Sequence, residues 1–161
     1  MKPEEEALRG VLTECEKHSL RMLEARDEIL EMEAIDEYRI DRLSKPAVRV
    51  IDQFIFRFTC LQDAMGQKLF KYLLEAAREP LTETATFLDK LRVLERFGIL
   101  DSAAGWEATR IIRNRLVHDY PEAATRALIL ASAVRIAPSL VAVLRRAASF
   151  SAEKLNLSAS K

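Results

Sequence analysis

Apolar residues recur at helical spacing along most of the chain. Leu8, Cys15, Met22 and Ile29 stand seven apart, and Val11, His18, Ala25 and Met32 each follow three residues later. This is the seam of a bundle helix. Pro3 suits its first turn because its φ is already helical, and Glu4, Glu5 and Glu6 face the positive end of the helix dipole. The pattern predicts a helix over 3–32, with His18 on the seam as a packed or partner-bonded side chain. A polar stretch from Glu33 to Lys45, with room for a short helical turn, leads to Pro46. From there Val50, Phe54, Phe58, Leu61, Met65, Leu69 and Tyr72 alternate spacings of three and four. They predict a second helix from about Pro46 to Ala77 whose aromatics form the core rather than a base-stacking platform.

Arg78 to Thr82 reads as a loop, after which Thr82 or Thr84 can cap a third helix carrying Phe87, Leu88, Leu91, Leu94 and Phe97. Gly98 ends it. Asp101 or Ser102 can cap a fourth helix, over about 102–118, which must fail near Asp119 because Tyr120 precedes a proline. Pro121 opens a fifth, running through Leu128, Val134, Leu140 and Leu144 with a kink at Pro138. The Ser, Ala and Asn content from Ser149 onward suggests a fraying end. The expectation is an all-α, antiparallel bundle of four to five helices, one domain over 1–150 with a flexible tail over 151–161.

Composition agrees with this picture. The 161 residues include only 4 glycines and 5 prolines, and no run of Val, Ile or Thr alternates as a strand would. Cys15 and Cys60 lie inside helical patterns without metal-ligand spacing, as in a reduced, cytoplasmic protein. No secretory leader is apparent, since the first residues are acidic and no apolar stretch follows them. Leu128 to Leu144 is interrupted by Arg135 and Pro138 and reads as a buried helix, not a membrane span. The formal net charge is zero, but it is unevenly spread. Residues 1–40 carry 6 basic and 12 acidic side chains, a net of −6, and subtraction from 25 and 25 leaves 19 and 13, a net of +6, for the remainder. Any RNA-binding face should lie outside the first helix.

Candidate chemistry gathers at the end of the fourth helix, in Arg113-Asn114-Arg115-Leu116-Val117-His118-Asp119-Tyr120. Arginine is a permanent forked phosphate ligand, and histidine exchanges a proton near neutral pH. On an ideal helix the two point roughly 140° apart. Either the last turn unwinds, or the groups meet across a symmetric dimer. Arg110, Asn114 and His118 make a polar stripe beside Glu107, while Arg113 falls on the side of Trp106, Thr109 and Val117. A half-buried guanidinium there needs a partner, which can be a phosphate or an acid such as Asp52 or Asp63 on the second helix.

This run resembles the Arg-x-x-x-x-His motif of the HEPN superfamily of small helical proteins, many of them metal-independent ribonucleases. With a tyrosine two places after the histidine it looks like the HepT-like toxins, which are paired with a minimal nucleotidyltransferase antitoxin. The segments Arg57 to Gly66, Thr86 to Leu91, and Leu100-Asp101 through Trp106 to Asn114 extend the resemblance, which covers about Val50 to Pro121.

The resemblance implies an endoribonuclease that dimerises through its motif-bearing side. His118 would take the proton of a ribose 2′-hydroxyl as that oxygen attacks the phosphorus, and Arg113 would neutralise the developing phosphoryl charge. Asn114 would hold the imidazole or a phosphate oxygen, with Arg110 and Arg115 as phosphate contacts. No metal or cofactor is called for. The partners implied are RNA, a second copy and the nucleotidyltransferase antitoxin, for which Tyr120 is the candidate AMP acceptor. Two other readings stay open: a non-catalytic substrate-binding or regulatory subunit of a nucleotidyltransferase, and a plain oligomerisation module with a structural Arg113.

Overall fold

Helices account for all the regular structure of the residues described by this computed structural model, 2–157, and none of these residues is in a strand. The five rods are α1 (Pro3–Glu31), α2, α3 (Phe87–Arg96), α4 (Ala103–Leu116) and α5 (Ala123–Lys154). The second, α2, is continuous but composite: α-helical over Lys45–Ala64, π-helical over Met65–Leu69 and α-helical again over Phe70–Ala76. The expected all-α bundle is what the chain forms. Glu14 and His18 on α1 meet Lys68 and Arg57 on α2 in reverse order, so these two rods are antiparallel. Asp63 opposite Arg113 and Gly66 against Trp106 set α4 antiparallel to α2. Ile99 at the near end of α4 meets Arg146, and Ile111 shares a groove with Leu128, so α5 is antiparallel to α4.

The α1 seam is buried as its spacing predicts, with Leu8, Val11, Cys15, Met22, Ala25 and Ile29 in the core. In α2, Phe54, Phe58, Leu61, Met65 and Leu69 are fully buried, and Phe54 and Phe58 lie with ring centroids 6.0 Å apart. Beyond that point the stripe changes phase. The Phe70 N–H bonds back to the Met65 carbonyl, five residues away, which inserts one residue into the helix. Phe70, Leu73 and Leu74 therefore enter the core, while Tyr72, expected there, is only partly buried.

Several ends differ from the expected positions. The residue after α2's cap, Arg78, has φ 54°, and the Glu79 N–H reaches the Leu74 carbonyl at 3.1 Å. This is a Schellman-type ending that glycine normally supplies. The following loop runs on past Thr82 and Thr84 to Thr86, which caps α3 reciprocally with Asp89 and so displaces the two earlier threonines as caps. Gly98, with φ 75°, does end α3, where Ile99 N–H bonds the Leu94 carbonyl at 3.0 Å. Pro121 does not open α5, which begins at Ala123 after Glu122.

Inside α5, Pro138 has no N–H to give the carbonyl of Val134, four residues earlier. Arg26 of α1 fills that vacancy, its Nε donating to the Val134 oxygen at 2.6 Å. The helix then continues to Lys154 rather than fraying from Ser149. Phe150 stacks on Phe97 at 5.0 Å with a 12° interplanar angle, and Ser151 and Leu157 are buried. The segment 151–157 is thus packed and not a free tail; residues 158–161 lie outside those described. By length and composition α5 could cross a membrane, but 56% of its most apolar window is buried inside the protein.

Candidate functional site

Ser102 caps α4 by accepting from the Gly105 N–H at 2.9 Å, and the helix places Trp106 and Arg113 toward α2. It stops at Leu116, two residues short of the expected 118, with Val117 as its cap and the His118 N–H reaching only to the Arg115 carbonyl at 3.2 Å. Tyr120, held away from the helical region by Pro121, makes an earlier stop favourable.

Arg113 is gripped from α2. Its Nε and Nη2 donate to Asp63 Oδ1 and Oδ2 at 2.9 and 2.7 Å, a bidentate fork, and Nη1 lies 3.4 Å from Asn114 Oδ1. Of the two acids anticipated as partners, Asp63 is the one used. The pair is only half withdrawn from water, with side-chain exposures of 26% and 32%. Around it opens a cleft of about 550 Å³ between α2, α3 and α4, lined also by Gln62, Phe87, Lys90, Trp106, Arg110 and Asn114. Arg110 is paired with Glu107, Nη2 to Oε2 at 2.9 Å.

His118 faces elsewhere. It is exposed beyond the helix end, its ring edge-on to Tyr120 with centroids 6.3 Å apart. With Arg115, Tyr120, Asp52 and Arg126 it lines a separate groove of about 300 Å³. Arg126 is held there by Asp41 at 2.6 and 3.0 Å, and the hydrogen bonds it donates keep that carboxyl below its ordinary range. One chain therefore presents the motif on two sides: Arg110, Arg113 and Asn114 on the larger cleft, Arg115, His118 and Tyr120 on the smaller. The expected Arg110-Asn114-His118 stripe breaks because the helix that would have carried it ends first. A third groove of about 570 Å³ joins Arg115 and Tyr120 to Ile111 and Leu128, both exposed.

His18 is partner-bonded, as its place on the α1 seam suggests. Its Nδ1 is 3.0 Å from Arg57 Nη1, so that nitrogen accepts and the ring is neutral. Burial and the Arg57 charge both lower its pKa from the ordinary 6.5. Neither cysteine is primed for chemistry. Burial pushes the Cys15 thiol up to about 12 and also raises that of Cys60. Among the described residues no group of three His, Cys, Asp or Glu side chains converges as metal ligands would.

Gln62, Trp106 and Lys90 were not legible as site residues. Gln62 is the one with a sequence signal, a polar residue four after Phe58 and next to Leu61 in an otherwise apolar stripe. Comparison of the chain with models of protein families, with curated proteins and with solved structures gives no match.

Proposed function

We propose that the protein is a HEPN-type, metal-independent endoribonuclease of the HepT-like kind, working as a homodimer and controlled by a nucleotidyltransferase partner. The observation that carries this reading is His118, exposed beyond the end of α4 with Arg115 and Tyr120 beside it. Arg115 and Tyr120 also border an apolar strip of Ile111 and Leu128, the latter 69% exposed. Apposing that strip on its copy would hide the apolar surface and bring two motif ends to one cleft.

In such a cleft His118 takes the proton from a ribose 2′-hydroxyl, the 2′-oxygen bonds to phosphorus, and the bond to the 5′-oxygen breaks. The leaving oxygen collects a proton from water, giving a 2′,3′-cyclic phosphate and a 5′-hydroxyl. Arg113, aimed by Asp63, offsets charge on the phosphoryl oxygens, and Asn114, Arg110 and Arg115 contact phosphate. Tyr120, partly exposed beside His118, is the AMP acceptor through which the partner silences the site. The protein works in the cytoplasm.

One observation favours a second reading, a binding-only subunit of the nucleotidyltransferase. Arg113 is already satisfied by Asp63 and opens onto a different cleft from His118. Incubating end-labelled mixed-sequence RNA with the protein in excess EDTA separates the two. The ribonuclease yields cyclic-phosphate ends, and His118→Ala and Arg113→Ala each slow cleavage by about 10²-fold or more. Equal cleavage by the folded variants, or none by a parent whose intact mass excludes AMP on Tyr120, overturns it.

A further inference from the structure

The cleft beside Arg113 is walled by Gln62, which is 4% exposed and whose amide bonds to no other side chain among the described residues, and by one polar group wholly withdrawn from water without a partner. Trp106 is 2% exposed and its buried Nε1–H has no acceptor. Native proteins rarely leave such groups unpaired, because each carries the full cost of lost hydration. The indole lies against Gly66, where a Cβ would sit 3.3 Å from Cζ2 and 4.0 Å from Nε1, so its nitrogen-bearing edge is on the Gly66 side, which lines the cleft. Gly66 itself belongs to the π turn, an interruption often found at functional sites.

Two further walls complete the chemistry. Phe87, at the first turn of α3, is exposed into solvent although large and apolar. Lys90, one turn on, lines the cleft and pairs with no acid among the described residues, whereas Arg110 and Arg113 are each neutralised by one. A ligand that answers all four must be planar for Phe87, offer donors and acceptors on its edge for the Gln62 amide and an acceptor for Trp106, and carry an anion for Lys90. A carboxamide reads a base edge bidentately, and aromatic rings stack any base. At about 550 Å³ the cleft has room for one base with its sugar and phosphate.

We propose that this cleft is a nucleotide-binding pocket in which Gln62 and Trp106 read the base, Phe87 stacks on it and Lys90 holds its phosphate. The proposal draws its ligand from the cleft's own groups, and does not depend on whether the protein cuts RNA. The nucleotide is either free or one unit of a strand.

Trp106 is the only tryptophan in the chain, so the fluorescence comes from one residue, which lines this cleft. The full-length protein is titrated with each of the four ribonucleoside 5′-monophosphates, with inorganic phosphate, and with a short oligodeoxynucleotide, which lacks the 2′-hydroxyl and cannot be cleaved by it. A saturable change is expected with at least one monophosphate, and binding of that nucleotide should weaken about tenfold in Lys90→Gln. In Gln62→Leu the preference among bases should disappear while the protein stays folded, as its thermal unfolding checks. Tighter binding of the oligonucleotide than of any monophosphate identifies a strand as the source; the reverse identifies free nucleotide. No saturable change with any nucleotide, an equal response to inorganic phosphate alone, or affinities unaltered in both variants overturns the pocket. RNA cleavage that persists alongside such a failure leaves the ribonuclease reading standing, and binding without cleavage does the opposite.

Discussion

At the scale of single residues, the charged groups of this protein are mostly committed, and the commitments have pH signatures. His18 is neutral because Arg57 donates to its Nδ1 and because it is half-buried. Its pKa in the fold lies below its unfolded value, so the unfolded chain binds more protons in the interval between them. Stability is therefore undiminished above about pH 6.5 and falls as the pH drops through 6.5 toward the lower, folded value. Comparing denaturant unfolding at pH 7.5 and 5.5 for the parent and His18→Asn should show a smaller loss on acidification in the variant; the same loss in both would remove His18 from the account. The Asp63–Arg113 pair was one of the outcomes the sequence left open, because a guanidinium on the Trp106 side of α4 had to find an anion. Which acid it would be was not legible. Asp52 and Asp63 are eleven apart, about three helical turns, and only the crossing of α2 and α4 decides between them.

Among elements, the legible ones were those whose signal is local. The α1 seam, Gly98 and Ser102 act through spacing or a single side chain, and they stand where the sequence puts them. Thr86 was missed because three threonines crowd the loop and the deciding partner, Asp89, lies inside the helix being started. The length of α5 was missed because its end is held by contacts remote in sequence, the stacking of Phe150 on Phe97 above all. The bond from Arg26 to Val134 is of that long-range kind, and it explains how a proline is tolerated in mid-helix. Arg26→Met should lower stability by about 1 kcal/mol, the worth of a part-buried hydrogen bond. In a Pro138→Ala background, where residue 138 supplies the missing N–H, the same change should cost measurably less. A double-mutant cycle by chemical unfolding checks this, and strict additivity would mean that Arg26 acts through something other than the vacancy at Val134.

For the whole molecule, charge and apolar surface are sorted. The acidic α1 packs on α2 and α5, while Arg110, Arg113 and Arg115 belong to α4. Exposed Ile111 and Leu128 form an apolar strip beside Arg115. If that strip is the seam of a dimer, Leu128→Glu should convert a dimeric mass in size-exclusion light scattering to a monomeric one without unfolding the chain, and cleavage of RNA should fall with it. An unchanged mass would move the seam elsewhere. The π turn of α2 bears on the molecule at this scale as well. A helix with one residue too many is a splice between two phases that differ by about 100°. Removing any residue between Met65 and Leu69 would restore a regular helix and turn everything beyond it, Phe70, Leu73 and Leu74 included, about its axis. Length at this point is therefore a constraint as strict as residue identity elsewhere. A chain of the same fold that lacks the inserted residue would need a different set of apolar positions in the last turns of α2 and a differently walled cleft beside Trp106.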